Sequence, residues 1–227
     1  MAKYTRLQVL TTIIETGLVP LFYHDDPDVA AKVITACLDG GARCIEFTNR
    51  GDCAHLVFAE MIKRFRGNNE LILGAGTILD PATAALFIQL GANFIVGPNL
   101  NVEVARLCNR RKIPYTPGCA TTTEISDAEE LGVEICKIFP AGELGGPAFV
   151  HAVRGPMPWV RLMPTGGVIP DKENVTAWIQ AGVACLGMGS KLISTKRVES
   201  GDYASITYDV KQILDWVRDA RKDAPGI

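Results

Sequence analysis

LVPLFYHDDPDVAAKVITACLDGGARCIEFTNR, residues 18–50, holds one complete structural unit and the start of the next. Residues 18–23 and 44–48 are short apolar runs of strand length. Between them, Asp26 offers a side-chain acceptor to the first N–H groups of a helix, and Pro27 suits its first turn. The amphipathic stretch that follows ends at Gly40-Gly41, where glycine can take the left-handed backbone that closes a helix. A strand, a crossover helix and a second strand predict a parallel pair.

The same order recurs along the chain. Asp80-Pro81 repeats the helix entrance, and Leu90-Gly91-Ala92, Leu131-Gly132-Val133 and Ala181-Gly182-Val183 repeat the exit. Eight strands are predicted, at residues 18–23, 44–48, 71–75, 94–96, 115–117, 134–139, 160–163 and 184–188, with 115–117 the weakest pattern. Such a modular α/β sequence predicts a (β/α)8 TIM barrel in one domain spanning residues 1–227. Residues 18–193 form its core, 1–17 an additional N-terminal helix and 203–222 an amphipathic C-terminal helix. Leu7, Leu10 and Ile14 give the first helix its apolar face; Ile206, Val210, Ile213, Leu214 and Val217 give the last helix its own. Residues 194–202 read as a polar connecting loop. An open doubly wound sheet is the alternative, because short strands alone do not establish closure.

Composition narrows the function. The 227 residues are 48% hydrophobic and 21% charged, with a formal net charge of −2, so no positive field favours nucleic acid or anionic lipid. No apolar run approaches the roughly 20 residues of a membrane span, and Glu15 sits where a signal peptide needs small residues, which predicts a cytoplasmic protein. The seven cysteines contain no CxxC and mostly lie in apolar runs, as reduced core residues do. His24, His55 and His151 lack metal-ligand spacing, so no metal is expected.

Lys137 stands out in Glu134-Ile-Cys-Lys-Ile-Phe-Pro140, the middle of a predicted strand that a barrel covers on both sides. An ammonium there loses hydration, its pKa falls, and the neutral amine becomes a nucleophile. The plainer alternative is a lysine whose head reaches water or a carboxylate at the strand end. On residues 44–50, Cys44, Glu46, Thr48 and Arg50 share one face. Arg50, at the C-terminal end of the strand, can hold a substrate carboxylate through paired hydrogen bonds; a self-neutralising Glu46/Arg50 ion pair is the alternative. Pro164-Thr-Gly-Gly167 and Gly187-Met-Gly-Ser190 follow the seventh and eighth strands, where small-residue turns expose N–H groups to a phosphate. Each could also be only a tight turn. Gly74-Ala-Gly-Thr77 reads as close backbone approach to a ligand, with Thr77 adding a hydroxyl.

IEFTNR at 45–50, GAGT at 74–77, KIFPA at 137–141 and PTGG at 164–167 together resemble the 2-keto-3-deoxy-6-phosphogluconate (KDPG) / 4-hydroxy-2-oxoglutarate (KHG) aldolase family, over residues 17–193. The resemblance implies a class I aldolase on a (β/α)8 barrel, reversibly cleaving a 2-keto-3-deoxy (phospho) sugar acid to pyruvate and an aldehyde such as glyceraldehyde 3-phosphate. It implies Lys137 as the Schiff-base residue and Glu46 as the proton-transfer group. Arg50 would hold the pyruvate carboxylate, with Thr48, Thr77, Pro98 and Phe139 around the substrate. Thr165, Gly166, Gly167, Gly187, Gly189 and Ser190 would bind phosphate. It also implies a homotrimer without metal or organic cofactor. Some relatives carry arginine near the end of the first strand, where this chain reads Phe22-Tyr23-His24, so configuration and phosphorylation of the substrate stay open. KHG or 2-dehydro-3-deoxy-6-phosphogalactonate would be alternative substrates. A phosphosugar isomerase or epimerase using Glu46 as its base, and a non-catalytic phosphometabolite-binding barrel, are the rival functions.

Overall fold

The computed structural model describes residues 2–224. Helix α1 (Arg6–Thr16) precedes β1 (Leu18–Phe22), followed by α2 (Pro27–Asp39), β2 (Cys44–Thr48), α3 (Ala54–Arg64), β3 (Ile72–Gly76), α4 (Pro81–Leu90), β4 (Ile95–Val96) and α5 (Val102–Arg111). Then come β5 (Tyr115–Thr116), β6 (Gly118–Cys119), α6 (Thr122–Glu130), β7 (Cys136–Ile138), α7 (Pro147–Arg154), β8 (Leu162–Pro164) and α8 (Lys172–Gln180). Strand β9 (Leu186–Met188), α9 (Thr195–Glu199) and α10 (Tyr203–Arg221) complete the order. The expected caps are made: Asp26 accepts the N–H groups of Asp28 and Val29, and Asp80 that of Thr83. Gly91 closes α4 with a φ of 114°.

The strands run parallel in a curled arrangement of two sheets, one of order β5-β4-β3-β2-β1-β9 and one of order β6-β7-β8. Thr165 and Gly187 form a parallel bridge beside β8 and β9. At the other seam only Pro117 separates β5 from β6. Proline has no N–H to give the ladder, so the strand expected at 115–117 becomes two short ones; the Pro117 carbonyl still accepts the Lys137 N–H at 2.9 Å. The seventh predicted strand also shifts, from 160–163 to Leu162–Pro164.

Two apolar clusters flank the strands. The larger lies under the helices and holds Ile45, Phe47, Cys136 and Ile138. The smaller fills the inside of the curl with Val19, Cys44, Ile72, Phe94, Ile135, Met163 and Cys185, and α1 stops one end of it with Val9, Leu10 and Ile13. Of the predicted α1 face, Leu10 is buried and Ile14 packs partly buried on this cluster, whereas Leu7 is 75% exposed and Val9 and Ile13 take its place. Residues 194–202 also differ from the expected loop: Ser194 accepts the Arg197 N–H at 3.3 Å and starts α9. Helix α10 buries Ile206, Val210, Ile213 and Val217 as predicted. Arg221 ties it to the Ile14 and Ala184 carbonyls at 2.6 and 2.8 Å. Among the described residues, no helix is long and apolar enough to cross a membrane.

Candidate active site

Strand alternation places Lys137 on the same side as Ile135, inside the curl, while Cys136 and Ile138 turn toward the helices. Its side chain is buried, at 4% exposure, with Nζ 5.0 Å from the centroid of the Phe139 ring. Among the described residues it has no hydrogen-bond or ion-pair partner. Burial holds the Lys137 amine below the usual ammonium range; the Glu46 carboxylate opposes that shift, and the Arg50 guanidinium adds to it.

On β2 the same alternation sends Glu46 and Thr48 inward with Cys44. Glu46 is 1% exposed, and burial pushes its carboxyl up against the downward pull of Lys137 and Arg50. Its Oε2 and the Oγ1 of Thr165 are buried polar atoms without a hydrogen-bond partner. Orphans of this kind are costly and uncommon, so a polar guest between these strands would relieve them. Glu46 lies in register with Gly74 on β3, and Thr48 with Gly76. A Cβ at Gly76 would overlap Glu46 Oε1, and one at Gly74 would overlap the Phe94 ring. These glycines therefore make room for neighbouring side chains, where the sequence suggested approach to a ligand.

Arg50 lies exposed just beyond β2 and makes no ion pair with Glu46 among the described residues. Its Nε donates to Thr77 Oγ1 at 3.4 Å. Thr77 has a φ of 60°, left-handed and strained for a β-branched residue, a conformation that persists only where the surroundings impose it. Thr48 donates its hydroxyl proton to the Phe22 carbonyl at 3.2 Å, which leaves only acceptor capacity for a guest. Phe139 and Pro98 are half-buried, and the Pro98 carbonyl occupies the space that a Cβ at Gly118 would need.

After β8, Gly166 and Gly167 take φ values of 83° and 81°, which favour glycine. The Gly142 N–H donates to the Gly166 carbonyl at 2.9 Å, and Asn174 Nδ2 to the Gly167 carbonyl at 3.4 Å. The Thr165–Gly187 bridge sets this turn beside Gly189 and the exposed Ser190. Gly187 has a packing reason of its own, since a Cβ there would strike Thr165 Oγ1. Thr165 itself is buried inside rather than presented on the turn.

Thr116 escaped sequence reasoning. It is 3% exposed and pairs with the inward-facing Val96, which puts a further hydroxyl on the inner side. The weak pattern at 115–117 hid it, because alternation cannot be read across Pro117. Gly51 escaped too: a Cβ there would overlap the Tyr23 hydroxyl.

Two tests follow from this geometry. Gly76→Ala should displace the Glu46 carboxylate and cut turnover by about 10²-fold, the scale of a roughly 1 Å misplacement of a reacting group; unchanged turnover would show that the carboxylate position is not critical. Lys137→Met should raise Tm at pH 7. The folded-state pKa of the amine is depressed, so its destabilisation is full below that pKa and fades as pH rises to the unfolded value of about 10.4. Each kcal/mol relieved is worth about 2–4 °C in a chain of this size, and the gain should shrink by pH 10. A Tm lowered at pH 7 would mean that the ammonium is paired.

A family model described as KDPG and KHG aldolase matches residues 9–208. The chain is 33% identical to a 2-dehydro-3-deoxy-phosphogluconate aldolase of Treponema pallidum, over 93% of this chain and 98% of that protein. It is likewise 33% identical to the KHG/KDPG aldolase of Escherichia coli K12, over 90% of this chain and 94% of the relative. Its fold superposes with a TM-score of 0.82, at 25% identity, on a KDPG aldolase of Legionella pneumophila whose pyruvate was captured as a covalent carbinolamine intermediate. That match covers 90% of this chain and 97% of the other.

Proposed function

Because the chain belongs to the KDPG and KHG aldolase family, we propose that Lys137 is the residue on which it forms a Schiff base with a 2-keto acid. The protein is a class I aldolase, an aldehyde-lyase that splits KDPG into pyruvate and an aldehyde. One observation carries the assignment of Lys137: an amine with no ion-pair partner among the described residues, kept below its usual pKa by burial, on the inner side that also holds Glu46.

Neutral Lys137 Nζ attacks the ketone carbon, and the carbinolamine loses water to give an iminium. Removing the proton of the C4 hydroxyl turns that oxygen into the carbonyl of the departing aldehyde. The C3–C4 bond breaks and its electron pair neutralises the iminium as an enamine. Protonation at C3 and hydrolysis then return pyruvate and the free amine. Glu46, whose raised pKa suits both taking and giving a proton, serves these transfers. Arg50 binds the keto-acid carboxylate with its terminal nitrogens, while Nε stays on Thr77. Thr48, Thr77, Pro98 and Phe139 border the pyruvyl end. This scheme calls on neither metal nor organic cofactor.

The turns at Gly166-Gly167 and Gly189-Ser190 take the phosphate of a phosphorylated substrate. Ser190→Ala should raise KM for KDPG about 3- to 10-fold, the scale of one hydrogen bond, with little change for unphosphorylated acids; an equal effect on both would misplace the phosphate. We further propose that the two sheets close as one (β/α)8 barrel, residues 1–227 forming a single domain, of which residues 1 and 225–227 lie outside the described residues. The Thr165–Gly187 bridge and the continuity of β5 and β6 through Pro117 support closure. The protein is also proposed to be a cytoplasmic homotrimer, with exposed Leu56, Leu79, Leu86 and Val102 supplying apolar surface for subunit contacts. A panel of 2-keto-3-deoxy acids, with pyruvate read through lactate dehydrogenase, tests the activity. Cleavage of KDPG is expected, and no pyruvate from any of them would contradict it.

A further inference from the structure

A cavity of about 400 Å³ opens between the end of β1, the turn after β9 and α9, with Leu21, Tyr23, His24, Arg50, Ser190 and Glu199 among its walls. It adjoins the catalytic interior: Leu21 is in register with Glu46, and Arg50, which reaches Thr77, lines the cavity as well. The Tyr23 ring packs on Phe47 at 5.7 Å between centroids, and its hydroxyl occupies the space that a Cβ at Gly51 would fill. His24 Nδ1 accepts the Asp26 N–H at 3.0 Å, which leaves Nε2 as the donor nitrogen.

We propose that this cavity is the subsite for the distal, uncharged, hydroxyl-bearing carbons of the keto acid, so that the protein also cleaves sugar acids lacking a phosphate. The proposal rests on the aldolase reading of Lys137. The Tyr23 and Thr195 hydroxyls, one imidazole N–H and the Glu199 carboxylate supply the mix of donors and acceptors that a polyol needs. Val33, Ile193 and Val198 add apolar wall for its carbon faces. Away from Ser190, the one wall the cavity shares with the phosphate turns, charge opposes a phosphate here. Among the described residues Arg50 is the only lysine or arginine in the lining, the keto-acid carboxylate already claims it, and Asp25 and Glu199 would both oppose a second anion. A phosphorylated tail goes instead to the glycine turns.

The test compares kcat/KM for 2-keto-3-deoxygluconate and its 6-phosphate in the wild type, Glu199→Arg and His24→Leu, alongside borohydride trapping of pyruvate on the wild type. The wild type should cleave the unphosphorylated acid. Glu199→Arg should move the preference toward the phosphate by about tenfold or more, the reach of one close charge. His24→Leu should lower kcat/KM for the unphosphorylated acid about 3- to 10-fold, as loss of one hydrogen bond does. If pyruvate still traps on Lys137 but the unphosphorylated acid is not cleaved, or neither variant moves the ratio, the subsite is overturned. If pyruvate does not trap, the aldolase reading beneath it fails.

Discussion

Lys137→Ala should abolish aldol cleavage, lowering kcat/KM by on the order of 10⁴-fold or more, the scale on which removing a covalent nucleophile acts. The fold should survive, since alanine removes a buried amine that has no hydrogen-bond or ion-pair partner among the described residues. Lys137→Arg should do no better. A guanidinium stays protonated, cannot form the imine, and would bring an obligate charge into a place that already depresses an ammonium. The pair of variants separates nucleophile from mere cation: if positive charge were what mattered, arginine would rescue and alanine would not. Cleavage within tenfold of wild type in either variant would assign the chemistry to another residue.

Glu46→Gln should slow carbon–carbon cleavage by about 10²–10⁴-fold, the range for a general acid–base group, while KM changes little. Glutamine keeps the shape that Gly76 accommodates but can neither accept the C4 proton nor return one. Because the step that forms the imine also moves protons, pyruvate trapping should slow as well, though its final extent should stay the same. An equal loss in kcat and in pyruvate affinity would make Glu46 a structural partner of the amine instead of a proton carrier.

Much of the fold was legible because its punctuation is local. Asp26-Pro27, Asp80-Pro81 and the glycine exits act through their own backbone, and the structure uses the two Asp-Pro pairs as helix entrances. What failed depended on partners remote in sequence. Pro117 breaks a strand only because the neighbouring ladder needs its missing N–H. Helix α1 packs with Val9 and Ile13 rather than Leu7 because the surface it covers, the floor of the inner cluster, is built by residues from most of the strands. Ser194 was readable as a helix cap, yet its surroundings are polar enough to pass for loop.

The site divides in the same way. Lys137 and Glu46 stood out because a charge in a strand pattern is anomalous in itself, and both prove buried. The purposes of Gly74 and Gly76 could not be seen, since they depend on cross-strand register with Glu46 and Thr48. Thr165 looked like part of a turn, whereas its place inside follows from the alternation that sends Met163 inward.

The most direct measurement is borohydride reduction in the presence of pyruvate, followed by peptide mass mapping. The account predicts a reduced three-carbon adduct on the peptide containing Lys137, absent without pyruvate and absent in Lys137→Ala. An unmodified Lys137 peptide, or an adduct on any other lysine, would contradict it.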